Sequence, residues 1–531
     1  MFTGFLWYNC DMKTTDKTIT IPITEYESLK AQNADLTKQV EWFINQQRLA
    51  QHRRFGASSE KSEYEQLTIF NEVEATATVN EPEPELTEVV KHFRKRKRLV
   101  NDRLPEDLPV EVIEHDLLPE AQVCPECSSD MHVMGRDTRR ELVIIPAQVK
   151  IREHVSKVYA CRDCEKNACS VPIIAAPAGK PVIKGSFASP EAIAHIIYQK
   201  FVMATPLYRQ EQDWARQGIA LSRQTMSNWL LRATEDWLLP IYNRLRDALM
   251  TYDVIHADET VLQVLREPGK KAQSNSYMWL YRTGRYNRDG TEVAYPIVLY
   301  EYQPDRRAKH PKEFLKDFSG YCHADGYEGY HSLPDNITVV GCFSHARRKW
   351  DEALKMLPEK DRAGSNVLRG KRYCDKLFEL ERDFANLTPE ERFAKRQAVA
   401  KPIFDVFFSW ANDLKAMPKT PLGSAVTYML KQRKYLEHYL LDGRLEISNN
   451  RAERSVKPFV IGRKNFLFAN TPRGARASAV MYSIVETAKE CGLDPFRYLN
   501  YIFSNAPNLD SENNPHALDL LIPQSAPDFC K

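Results

Sequence analysis

The 531-residue chain contains no run of roughly 18 consecutive apolar residues, so no transmembrane helix is expected. Cysteine is scarce: 11 residues, unevenly spread, are too few for a disulfide scaffold in a chain of this length. That excludes a small stapled secreted framework and predicts reduced thiols in a cytoplasmic setting. A secretory leader is not expected either, because the apolar opening Met1-Phe-Thr-Gly-Phe-Leu-Trp-Tyr8 is short, lacks a basic start and has no small-residue cleavage site. Met12 begins a more ordinary polar start, and no internal repeat is evident. What is present is globular: hydrophobic residues make up 43%, aromatics 10% and charged residues 27%. The length suggests about three or four domains.

The net charge of +3 hides an uneven distribution. Glu72, Glu74, Glu81, Glu83, Glu85 and Glu88 fall in a stretch free of Lys and Arg, followed at once by Lys91-His-Phe-Arg-Lys-Arg-Lys-Arg98. A second basic concentration runs from Arg451 to Arg476 and includes Arg454, Lys457, Arg463, Lys464 and Arg473. Clusters like these are the electrostatic footprint of a phosphate backbone, although each alone reads equally well as a solvated face.

Residues 1–22 read as an N-terminal extension. In 23–71, Leu29, Leu36, Phe43 and Ala50 recur every seven residues, a short coiled coil or a single amphipathic helix. Residues 72–110 form a charged linker. Residues 111–178 hold Cys124-Pro-Glu-Cys127 and Cys161-Arg-Asp-Cys164, two pairs able to deliver four thiolates to one tetrahedral Zn²⁺. The 33 residues between the pairs exceed the commoner spacing, and Cys169, His132 and His154 are alternative ligands. The stretches 149–155 and 158–160 read as strands of such a zinc ribbon.

Residues 179–250 are helical by pattern. Ser189-Pro-Glu-Ala opens one helix, Pro206 a second that ends at Gly218, and Ser222 caps a third. Helix, short glycine turn and helix suit a helix-turn-helix: Arg223, Gln224, Ser227 and Asn228 would face DNA while Met226, Trp229 and Leu230 face the core. A helical hairpin that binds nothing fits the same pattern. From 251 to 350 the texture turns to strands, a three-strand meander followed by a helix and two further strands. Residues 351–440 read as a helical insertion, 441–505 as a second part of the strand-bearing domain ending in a basic segment, and 506–531 as a tail. The expected fold class is therefore multidomain α+β.

Asp258 is expected at the end of the first strand of this region and Asp325 at the end of the fourth. The chain order places those two strands side by side, and a later helix carrying Glu453 could add a third carboxylate. Three converging oxygen donors are what Mg²⁺ requires, and two such ions can drive an in-line phosphoryl displacement. Position alone leaves Glu259, Glu328 and Asp335 as rival ligands.

The motifs add a resemblance. His256-Ala-Asp-Glu-Thr260, Asp325-Gly-Tyr-Glu-Gly-Tyr330, Ser344-His-Ala-Arg-Arg-Lys349, Asn449-Asn-Arg-Ala-Glu-Arg454 and Arg463-Lys-Asn-Phe-Leu-Phe468 occur in order. Together with the heptads, Phe55-Gly-Ala-Ser-Ser-Glu-Lys61 and the paired C-x-x-C, they resemble the signature blocks of bacterial insertion sequence 66 transposases over almost the whole chain. The resemblance implies a DDE recombinase with an RNase H-like catalytic domain, in which Asp258, Asp325 and Glu453 hold catalytic Mg²⁺ (or Mn²⁺). It implies DNA cleavage at transposon ends and 3′-OH strand transfer into target DNA; the alternative is an inactive DNA-binding regulator or relic. His345, Arg348, Lys457, Arg463 and Lys464 would contact DNA beside the reading helix. The implied partners are double-stranded DNA, a second copy of the chain or a higher oligomer, and small accessory proteins of the same element, with no membrane.

Overall fold

The computed structural model describes residues 149–160, 173–510 and 514–531. The chain divides into two compact units, Met1–Ile151 and Arg152–Lys531, and every element named here belongs to the second. The heptads, the 91–98 basic cluster and the four cysteines Cys124, Cys127, Cys161 and Cys164 lie outside the described residues. Among the described residues no helix is long and apolar enough to cross a membrane.

Two short strands, β1 (Val158–Ala160) and β2 (Ile173–Ala175), pair antiparallel. The strand expected at 149–155 is not formed. Val149, Ile151 and Val155 are 52%, 92% and 81% exposed, and alternation of side chains makes no strand without a neighbouring backbone to complete the ladder.

Ser189 caps α1 (Pro190–Ile197) by accepting from Ala192 N. Helix α2 (Leu207–Arg216) ends before Gly218, whose φ of +78° costs glycine nothing. Ser222 Oγ then accepts from Thr225 N at 3.1 Å and opens α3 (Arg223–Ala233). A wide turn at Thr234–Leu238 carries α3 into α4 (Leu239–Leu249). Met226, Trp229 and Leu230 are buried, so the opposite face of α3, with Arg223, Gln224 and Asn228, is left in solvent.

The chain then builds a five-stranded sheet from β3 (Val254–Gln263), β4 (Asn275–Thr283), β5 (Val298–Gln303), β6 (Gly320–His323) and β7 (Ile337–Val340). Their order is β5-β4-β3-β6-β7, with β3, β4 and β5 antiparallel and β6 and β7 parallel to β3. Helix α5 (Lys309–Phe314) lies on the connection that returns the chain to β6. The first and fourth strands of this sheet are therefore neighbours. Gly320 permits the close approach: a Cβ there would lie 2.3 Å from Asp253 O.

After β7 come α6 (Phe343–Met356), α7 (Asn366–Asp383), α8 (Pro389–Lys395), α9 (Lys401–Asp413) and α10 (Pro421–Glu437). They pack around Trp350, Phe404, Phe407, Phe408, Met429 and Tyr439. Fully buried Arg396 donates to Tyr439 O, Asp442 O and Leu445 O at 2.8–2.9 Å and pairs with Glu381, fixing the loop that re-enters the sheet domain.

Three helices close the fold: α11 (Asn450–Phe466), α12 (Pro472–Glu490) and α13 (Pro495–Asn505). Gly462 lets α11 touch α12, since a Cβ there would stand 2.1 Å from the Tyr482 hydroxyl. Ser483 and Thr487 of α12 hydrogen-bond Tyr300 N and Val298 N (2.7 and 3.0 Å), covering the backbone of edge strand β5. Buried Arg282 of β4 reaches Glu490 at 2.9 Å and Ser455 at 2.5 Å, tying the sheet to both helices. Residues 514–531 pack back on α13, with Leu521 and Cys530 fully buried.

Candidate active site

His256 pairs with His323 across the parallel β3–β6 ladder, and their buried rings stack with centroids 4.3 Å apart. Residues two apart on a strand share a face. Asp258 follows His256 by two residues on β3, so its carboxylate emerges on the face marked by the stacked rings, whereas Asp325 lies two residues beyond His323, past the end of β6, with its Oδ2 3.9 Å from Arg306. Asp258 does not end its strand, as the sequence suggested. β3 runs on to Gln263 because β4 continues to pair with it; β6 is the strand that stops.

Glu453 comes from α11, in the first turn after the N-cap residue Asn449. Asn449 is buried and links helix to strand: its Nδ2 donates to Ala257 O at 2.8 Å and its Oδ1 lies 2.9 Å from His256 Nδ1. On the far side of the same imidazole, Nε2 is 2.9 Å from Glu446 Oε2, and Glu446 is clamped by Arg451 at 2.8 and 3.0 Å. Burial lowers the pKa of His256, an effect Glu446 only partly offsets. Burial pushes the Glu446 carboxyl up, yet the His256 and Arg451 contacts outweigh it and hold Glu446 well below the usual carboxylate range.

Burial also raises Asp258 well above the usual range, with Glu259, Asp325 and Glu453 adding repulsion and the Glu259 N–H at 2.8 Å opposing it. Such a gathering of hard oxygen donors is one that a divalent cation relieves. Glu453 Oε1 is itself buried without a hydrogen-bond partner. Among the described residues, the potential ligand atoms found within 4.8 Å of one another are those of Cys342, His345 and Glu453, and Asp258 and Asp325 are not part of that group. Of the rivals, Glu259 is held by the Tyr330 hydroxyl at 2.6 Å and by Arg306, which also lies 3.9 Å from Asp325, while Glu328 and Asp335 are exposed.

His345 and Arg348, in the first two turns of α6, reach this cluster: His345 Nδ1 is 3.7 Å from Glu453 Oε1 and Arg348 is 3.9 Å from Oε2. Burial lowers the pKa of His345, against the pull of Glu453 and Asp325. Lys457 and Lys464 are exposed along α11, whereas Arg463 is turned onto β3 and bonds Val261 O and Thr260 Oγ1. Arg223 stacks over Tyr208 on the separate surface of α3, where Gln224 Nε2 donates to Asn228 Oδ1 at 3.2 Å. From the sequence, His256 and Asn449 stood within the quoted motif blocks without an assigned role, and His323 and Glu446 were not singled out. The tripeptide His-Ala-Asp, repeated at 256–258 and 323–325, was the available signal for the two histidines; the block Asn449-Asn-Arg-Ala-Glu-Arg454 marked Asn449, and nothing local marked Glu446.

Residues 185–477, which span the sheet, the helical block and Glu453, match a transposase profile described as "Transposase IS66 family". Residues 121–165 match the "zinc-finger binding domain of transposase IS66" and 42–113 the "Transposase C of IS166 homeodomain". The 121–165 match contains both C-x-x-C pairs and supports a structural zinc. Among relatives in Sinorhizobium fredii, the protein named y4jD is 30% identical over 408 residues, covering 75% of this chain and 76% of its own. In the same organism y4qI is 27% identical over 499 residues, covering 90% and 88%. The chain belongs to the IS66 family of transposases.

Proposed function

We propose that the chain is a divalent-metal-dependent DNA transposase of the DDE type whose five-stranded sheet is an RNase H-like catalytic core. The observation that supports this reading is that buried Asp258 of β3 feels the charge of Asp325, which follows the neighbouring strand β6, and of Glu453 on α11. These three residues would hold the metal. When bound, a pair of Mg²⁺ ions would activate the attacking oxygen and stabilise the leaving oxygen of an in-line displacement.

The protein's own groups do the rest. Asn449 fixes the start of α11 against the strand residue next to Asp258, and so sets the position of Glu453. Arg348 and Lys457 flank the carboxylates with positive charge for the DNA backbone, and exposed Lys464 extends that charge along α11. Helix α3 would read the terminal repeats through Gln224, Asn228 and Arg223. In the first step water attacks the phosphodiester at a transposon end, the P–O3′ bond breaks, and a 3′-OH is freed opposite a 5′-phosphate. In the second that 3′-OH attacks a target phosphodiester and releases a target 3′-OH, so the number of phosphodiester bonds is conserved. Two ends require a dimer or higher oligomer, with accessory proteins of the element as further partners.

Supercoiled plasmid carrying the element ends tests the reading. Wild-type protein with Mg²⁺ is expected to nick it, and Asp325→Ala to bind the same DNA with nicking reduced by at least about 10³-fold. Equal nicking by both proteins would remove Asp325 from the site. Binding without nicking by the wild type would leave a DNA-binding regulator.

A further inference from the structure

His345 and Glu453 come from the first turns of two different helices, α6 and α11, and meet where sequence alone placed a DNA contact. Their facing atoms, Nδ1 and Oε1, are 3.7 Å apart, and both are buried without a hydrogen-bond partner. That spacing is too long for a hydrogen bond. Two ligands each ~2.1 Å from a common ion stand roughly 3.0–3.5 Å apart, only a few tenths of an ångström closer. The other oxygen of Glu453 faces Arg348, so Oε1 alone is turned to the imidazole. Cys342 Sγ completes a group of three potential ligand atoms within 4.8 Å of one another. It already accepts the Asn449 N–H at 3.1 Å and forms the floor of the site.

We propose that His345 Nδ1 and Glu453 Oε1 bind one divalent cation together, so that one metal position of the acidic cluster has a nitrogen donor. The inference rests on the metal-dependent reading of that cluster and goes beyond it in adding a ligand and a metal preference. An all-oxygen site suits Mg²⁺, whereas an imidazole among carboxylates shifts preference toward Mn²⁺ and other borderline ions. His345 then has a bond to the ion rather than to DNA phosphate.

Zinc-replete full-length protein loaded with Mn²⁺ gives a direct readout, because electron spin echo envelope modulation detects an imidazole nitrogen bonded to Mn²⁺. The expected result is nitrogen coupling in the wild type and in Arg348→Gln, and its loss in His345→Gln. Mn²⁺ affinity should fall about tenfold in His345→Gln, with a smaller change for Mg²⁺. A thermal unfolding curve establishes that His345→Gln is folded, and the wild-type spectrum is decisive by itself. Bound Mn²⁺ without nitrogen coupling overturns the pairing, and so does coupling that survives in His345→Gln. Failure of the underlying reading looks different: the wild type would bind no Mn²⁺, or the double variant Asp258→Asn, Asp325→Asn would bind it with unchanged affinity.

Discussion

Glu301 is another carboxyl removed from water in this sheet, with Glu313 as the one carboxylate adding to its pKa rise. It lies on β5 opposite Trp279, and its Oε2 is buried with no hydrogen-bond partner. Burial raises its pKa from 4.5 to about 7, with Glu313 adding to the rise and the Gln303 amide and Arg246 opposing it. Folding thus favours the protonated acid. The stability this group contributes is complete below pH 4.5 and is lost as pH rises through about 7. A carboxyl moved that far carries about 3 kcal/mol. Glu301→Gln is therefore expected to raise the unfolding free energy at pH 8 by up to about 3 kcal/mol and to flatten its pH dependence between about pH 5 and 8. Denaturant melts of both proteins at the two pH values check it, and parallel curves at both would remove Glu301 as the source.

Elements marked by local chemistry were legible in the sequence, and α3 shows why. Ser222 offers a hydroxyl that only a helix start satisfies in this way, and Gly218 supplies the positive φ at which α2 has to stop. Met226, Trp229 and Leu230 then fix which face turns inward. The same kind of pattern failed at 149–155, since a strand depends on a partner that local alternation does not reveal. On the solvent face of α3, Gln224 and Asn228 are already hydrogen-bonded to one another, a preorganised pair of amides on the side away from the core. As the proposed reading helix, α3 predicts that Gln224→Ala with Asn228→Ala weakens binding to the terminal repeats by about 1–3 kcal/mol per lost base contact. Affinity for unrelated duplex of the same length should stay within about 0.5 kcal/mol, and the salt dependence should be unaltered because no phosphate contact is removed. Equal losses on both DNAs in a titration would assign these amides to the backbone or to folding instead.

Across the whole molecule, what could be foreseen was that the first and fourth strands of the sheet lie side by side. Contacts between distant segments could not be foreseen. Asn449 meets Ala257 and Arg396 fixes the 439–445 loop through pairings that carry no local signal, and they decide where Glu453 stands. The buried residues of both hydrophobic clusters begin only at Val182, whereas Val158, Tyr159 and Ile174 of the β1–β2 pair are 60–66% exposed. Nothing before Val182 among the described residues therefore contributes to the cores that hold the sheet. A structural zinc in the 121–165 segment should accordingly stabilise that segment and not the sheet domain. A zinc-selective chelator in excess Mg²⁺ is expected to release about one zinc per chain while moving the main thermal transition by less than about 2 °C. Far-UV circular dichroism would follow the helices of 190–505, and metal analysis the zinc. A main transition that falls by ten degrees or so as zinc leaves would show that the sheet domain leans on the zinc segment after all.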